Sequence, residues 1–246
     1  RYRSFATLLE RDGYKVESYT GTFESGRLSK GKILVISNAL NEINVQNWYL
    51  PTPSAFTNEE IAVVKEWVLQ GGSLFLIADH MPMAGAAQDL AAQFGFEFTN
   101  GFAFEGNRQG PADFRRKDKT LNDCSITKGR NESERVDHIL TFTGQAFKIP
   151  DDATSILTFP NGFINMLPDT AWVFDKTTTS YKVDGWSQGA YKKFGKGKVV
   201  AFGEAAMFSA QLAGLNQTKV GMNQSAAKQN HQLLLNIIHW LDGLIE

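Results

Sequence analysis

Asp79 and His80 stand side by side where an apolar run, Leu74-Phe75-Leu76-Ile77-Ala78, stops. A carboxylate beside an imidazole can move a proton, hold a divalent cation or orient a polar ligand. Glu204 follows a second apolar run, 199–203, and Asn38 follows a third, 33–37. In open α/β sheets ligands bind at the carboxyl ends of the central strands, so these three exits form the candidate site. Two chemistries suit the residue types. With a divalent metal, Asp79, His80 and Glu204 are ligands that activate water, and His138 or His231 reaches in. Without one, Asp79 or Glu204 is the general base or acid and His80 its proton partner, acting on a sugar or another small polar substrate. The spacing selects neither, because no His-x-x-x-His pair occurs and adjacent side chains point in different directions. A third reading is a ligand-binding module that catalyses nothing. The local alternatives are a helix cap for Asp79 and a hydrogen-bonded place under a lid for His80.

These residues need strands to display them and helices to cover the strands. The unbroken apolar character of 74–78, with no polar alternation, predicts a strand buried on both faces, as at the centre of a parallel sheet. Thr57 with Glu60 forms a capping box, and Ile61, Val64, Trp67 and Val68 place a helix between it and Gly71-Gly72. Tyr2, Phe5, Leu8 and Leu9 predict an opening helix ended by Asp12-Gly13, with a short strand over 14–19. Residues 84–94 predict a tightly packing helix rich in alanine, and 225–244 a closing helix bearing Leu234, Ile237, Ile238 and Leu241. Further strands are predicted over 155–159, 171–175 and 188–194, with Gly195-Lys196-Gly197 turning the last into 198–202. The long loop 39–56, with Trp48 and Tyr49, has the composition of an ordered rim. Trp48, Tyr49 and Phe104 are the aromatic surfaces available to a ligand.

Residues 100–147 are rich in Gly, Asn, Arg and Asp and are read as an insertion over the site. Arg108, Arg115 and Arg116 within it could hold an anionic ligand, although ordinary solvated arginines are the more economical account. His239, beside Trp240 on the closing helix and away from the strand exits, is read as structural.

Composition narrows the partners. Twenty-five basic and 26 acidic residues leave a net charge of −1, so no field favours a polyanion, and nucleic acid is not an expected partner. Cys124 is the only cysteine, which excludes an internal disulfide or a thiolate zinc cluster. No apolar run approaches the roughly 20 residues that span a bilayer. The chain opens on a helix where a doubly wound domain would open on a strand, so a first strand is expected upstream of residue 1. Were a signal peptide also removed there, the protein would be periplasmic or secreted, and otherwise cytoplasmic.

The combined pattern resembles a known group. Phe5…Leu8-Leu9…Asp12-Gly13-Tyr14, Phe56-Thr57…Glu60…Trp67-Val68…Gly71-Gly72-Ser73-Leu74…Ile77-Ala78-Asp79-His80, and the late Gly203-Glu204 with Asn236…His239-Trp240-Leu241 are similar to bacterial proteins of the class I glutamine amidotransferase-like superfamily, nearest the DUF4350 and ThuA-like groups. The resemblance implies one domain over 1–246 with a flavodoxin-like three-layer α/β/α sandwich, in line with the mainly parallel sheet, with some antiparallel strands, read from the residues. It does not bring the glutaminase reaction, because the elbow position of that superfamily's cysteine reads Ala78-Asp79-His80 and no Gly-x-Ser-x-Gly occurs. The expected function is a small-molecule site, carbohydrate included, centred on Asp79, His80 and Glu204 and floored by Asn38. The enzymatic version is a metal-assisted or acid–base hydrolase.

Overall fold

The computed structural model describes residues 2–106 and 110–246. Its helices are α1 (Arg3–Arg11), α2 (Ser25–Leu28), α3 (Asn58–Leu69), α4 (Met83–Ala92), α5 (Ser125–Lys128) and α6 (Asn230–Asp242). The strands are β1 (Ile33–Ser37), β2 (Ser73–Ile77), β3 (Glu97–Phe98), β4 (Phe102–Glu105), β5 (Ala112–Arg115), β6 (His138–Thr141), β7 (Phe147–Lys148), β8 (Thr154–Thr158), β9 (Phe163–Leu167), β10 (Thr179–Lys182), β11 (Ser187–Phe194), β12 (Gly197–Phe202), β13 (Ala210–Ala213) and β14 (Thr218–Gly221).

The main sheet runs β1-β2-β12-β11-β7-β3, with β8 also paired to β11. Smaller sheets are β10-β9-β4, β13 with β14, and β5 with β6. Among the described residues only β1 with β2 and β2 with β12 are parallel, and the other strand pairings are antiparallel. This overturns the expected flavodoxin-like three-layer α/β/α sandwich on a mainly parallel sheet: the fold is mixed and rich in antiparallel strands. The reason is connectivity. A parallel pair needs a long crossover, which α3 supplies between β1 and β2, whereas the second half of the chain turns back on itself through short connections such as Gly195-Lys196. The apolar run at β2 reports burial on both faces of one strand, and that burial does not extend the parallel pattern across the sheet.

Where β1, β2 and β12 lie together, side-chain alternation divides the core. Leu74 and Leu76 of β2, with Val199 and Ala201 of β12, pack against Ile61, Val64 and Val68 of α3 and Leu90 of α4. Phe75, Ile77, Val200 and Phe202 face the other way, onto Leu234, Ile237 and Leu241 of α6 and Phe5 and Leu9 of α1. Every β2 residue is buried. Full burial of such side chains stabilises by about 1.5–3 kcal/mol each, enough to fix the register on both sides. Gly197 has no room for a side chain, since a Cβ there would lie 2.1 Å from the carbonyl oxygens of Gly72 and Val68. The β11 to β12 turn is thereby pressed against the end of α3.

Two predicted strands are absent. Residues 14–19 carry no ladder pairing, and 171–175 form an irregular loop in which Trp172 has φ 68°. That left-handed backbone is incompatible with a strand and rare for a bulky residue. No helix among the described residues is long and apolar enough to cross a membrane.

Candidate functional site

Three strand exits meet at one end of the main sheet. After β1 the backbone of Asn38 turns to φ 51°, and its Oδ1 accepts a hydrogen bond from the amide of Asp79 at 2.9 Å. The first exit therefore holds the second in place. Asp79 Oδ1 accepts the amide of His80 at 2.9 Å. Asp79 is not the cap of α4, whose N-cap is Pro82 and carries no side-chain cap bond. Gln145, fully buried, ties the exits together: its amide donates to Gly203 O, its Nε2 donates to Ala78 O at 3.0 Å, and its Oε1 accepts from Thr99 N at 2.8 Å. Gly144, at φ 97°, makes this approach possible, because a Cβ there would fall 2.2 Å from Gly203 O and 2.9 Å from the Glu204 Cβ.

Glu204 has no exposed surface. Its Oε1 accepts from Ala206 N at 2.7 Å and its Oε2 from Met207 N at 2.8 Å, the first two amides of the turn over Ala206–Phe208. Burial pushes its carboxyl well above the ordinary carboxylate range and the neighbouring Asp79 charge pushes it further, against the lowering effect of the backbone amides of Met207, Ala206 and Phe142. Asp79 and Glu204 are thus neighbouring carboxyl groups at the exits of adjacent parallel strands.

His80 is sealed by aromatic rings. It stacks on Phe102 of β4, centroids 4.2 Å apart and planes 16° from parallel. Trp172 meets it edge-on at 4.8 Å, and Trp48 at 6.0 Å. Its Nδ1 is 2.6 Å from Met81 O, and the residue is 6% exposed. Beneath Phe102 lie Phe104 and Phe174, at 5.9 and 5.2 Å, with Met81 in the same small cluster. Two loops carry the covering tryptophans and are joined to each other: Ala171 N donates to Trp48 O at 2.8 Å, Leu50 N to Asp169 O at 2.9 Å, and Tyr49 bridges Thr170. Tyr49 and Trp172 remain half exposed, at 50% and 46%. The rim predicted over 39–56 is present, and its partner is the loop expected to be a strand.

The remaining candidates lie apart from this constellation. His138 sits on β6, its Nε2 2.5 Å from Asp113 Oδ1. His231 is exposed on the first turn of α6. Neither has a hydrogen bond to Asp79, His80 or Glu204. Arg108 lies outside the described residues. Arg116 is committed to Asp123 and Asp137 and to the carbonyls of Thr127 and Val136, and Arg115 pairs with Asp113. Their charges are met within the chain. His239, read as structural from the sequence, is buried away from the exits with Nε2 2.6 Å from Asp12 Oδ2. Among the described residues no three His, Cys, Asp or Glu side chains converge as a metal-binding group. In the exit cluster both Glu204 oxygens and His80 Nδ1 already have backbone partners.

Phe102, Gln145 and Trp172 escaped the sequence reading. Phe102 belongs to a short apolar stretch inside a polar region, and nothing local distinguishes Gln145 or Trp172. Two open grooves lie elsewhere, one of about 540 Å³ along β3 and one of about 520 Å³ beside His138, and neither is lined by Asp79, His80 or Glu204.

No protein-family model matches this chain, and no curated protein matches it in sequence. Solved structures do share its fold. The N-terminal domain of mmIFT52 superposes with a TM-score of 0.58 at 12% identity, covering 97% of this chain and 90% of that one. A cytoplasmic protein from Salmonella typhimurium gives 0.53 at 13% identity over 98% and 86%. A ThuA-like protein from Bacteroides uniformis gives 0.53 at 12% identity over 97% and 81%. At such identities the likeness concerns the fold alone.

Proposed function

We propose that this chain is a ligand-binding domain of the amidotransferase-like, ThuA-like kind, taking a small polar ligand such as a carbohydrate at the exits of β2 and β12. The observation that carries the reading is the enclosure of His80 by Phe102, Trp172 and Trp48 beside a carboxyl pair. Aromatic surfaces with a few convergent polar groups are the usual furniture of small-molecule sites. Trp172 adds support: a bulky residue held at φ 68° stores strain, of order 1–3 kcal/mol, of the kind that concentrates at ligand clamps. The paired loops bearing Trp48 and Trp172 act as a cover that lifts to admit ligand to Asp79 and His80. Asp79, His80 and Asn38 orient the ligand, and Glu204 fixes the exit of β12.

Calorimetric titration and thermal-shift scans with neutral mono- and disaccharides, nucleosides and divalent cations test this. A saturable ligand whose affinity falls at least tenfold in Trp172→Ala is expected. A ligand that binds equally well to that variant would remove the site from these loops.

One observation favours a catalytic version: Glu204 lies beside Asp79, and burial together with the Asp79 charge raises the proton affinity of Glu204. In that version Asp79 is the base and Glu204 the acid of a metal-free hydrolase. Nitrophenyl glycosides and esters, assayed with wild type and Asp79→Asn, decide it. Glutaminase activity is not expected, since Asp79 occupies the strand exit and Cys124 is buried beside Thr127 in another part of the core.

A further inference from the structure

The groove of about 540 Å³ lies where the edge of the main sheet, β3 and β7, faces β10. One wall is aromatic: Tyr181 and Trp186 have centroids 5.5 Å apart and planes tilted by 48°. The rest of the lining mixes polar Gln88, Glu97, Thr99 and Lys148 with Ala92, Gly95, Phe96 and Phe98. Lys148 Nζ is 3.3 Å from the Glu97 carboxylate and 5.1 Å from the Trp186 ring centroid. The aromatic wall is fixed in advance. Fully buried Asn165 donates through Nδ2 to the Tyr181 hydroxyl at 3.0 Å, and Trp186 is held through its backbone to Val183 and Phe159.

Two features define what fits. Glu97 and Lys148 neutralise each other, so the groove offers no net charge to an anion or a cation. Its lining combines the aromatic faces of Tyr181 and Trp186 with side-chain donors and acceptors, so the complementary ligand has an apolar face and a hydroxylated edge. We infer that this groove is a binding site for a neutral saccharide, separate from the strand-exit site, with a pyranose face on Trp186 and Tyr181 and hydroxyls on Glu97, Gln88 and Lys148. The exposed Lys148 chain swings off the indole face to make room and donates to the sugar. A volume of about 540 Å³ accommodates one or two sugar rings.

The test is titration of the purified chain with maltose, cellobiose and chitobiose, and with galacturonate as the charged comparison, followed by tryptophan fluorescence and calorimetry. Saturable binding of a neutral disaccharide is expected, at least tenfold weaker in Trp186→Ala and insensitive to 0.5 M salt. Loss in Trp172→Ala with retention in Trp186→Ala would assign the sugar to the strand-exit site and overturn this proposal while sparing the other. No binding by wild type, or preference for galacturonate, would also overturn it. Should Trp186→Ala fail to fold, the exposed pair Gln88→Ala and Glu97→Ala carries the test, with at least threefold weakening expected and unchanged affinity counting against the groove.

Discussion

His80 lies flat against Phe102 at a centroid distance of 4.2 Å, a stacking that joins the exit of β2 to a strand of a different sheet. The ring contributed by β4 is what turns an exposed strand end into a roofed one. Phe102 is fully buried and touches Phe104, Phe174 and Trp172 as well. Phe102→Ala should therefore cost about 3–5 kcal/mol, the range for emptying a packed aromatic site. Urea unfolding measures it; a loss under 1 kcal/mol would mean the roof is loosely packed.

Trp172 makes the opposite case. Nearly half of its surface is exposed and its backbone is strained, so truncation loses some contact area but little buried core. Trp172→Ala should change stability by less than about 1 kcal/mol, typical of surface positions, while exposing His80. Carbethoxylation of His80, followed by mass spectrometry, should be several-fold faster in the variant. Equal rates would show that Trp172 does not cover the histidine.

Glu204 predicts a pH dependence whose sign follows from its raised proton affinity. The folded state holds the proton at pH values where the unfolded chain has released it. This stabilisation is complete below the ordinary carboxyl value of 4.5 and is lost progressively as pH rises toward the folded-state value. Thermal melts from pH 4 to 9 should show wild-type stability declining across this interval. Glu204→Gln, which mimics the protonated form, should flatten the decline, and an unchanged slope would exclude Glu204 as the group responsible.

Asp12 and His239 offer a control at the other end of the sheet. His239 Nδ1 has no partner among the described residues, so its bond to Asp12 is the one satisfying the buried ring. Asp12→Ala should cost about 1–3 kcal/mol, the penalty for stranding a buried polar group. Ligand affinity should stay at the wild-type value, and a change in it would tie α6 to the site.

The sequence alone determined what depends on near neighbours in the chain. The capping box at Thr57 and Glu60, the doubly buried β2, the turn at Gly195-Lys196 and the polar groups at three strand exits all follow from local spacing. Tertiary structure decided the rest. The sheet is mostly antiparallel because pairing direction depends on which distant segments meet, and an apolar run carries no record of its partner's direction. Burial, which also depends on distant segments, raises the proton affinity of Glu204. The site took its character from Phe102, Gln145 and Trp172, each about 20 to 95 residues from the Asp79 and His80 pair in the chain. Side chains so far apart are brought together by packing between sheets, which leaves no periodicity for a local reading to detect.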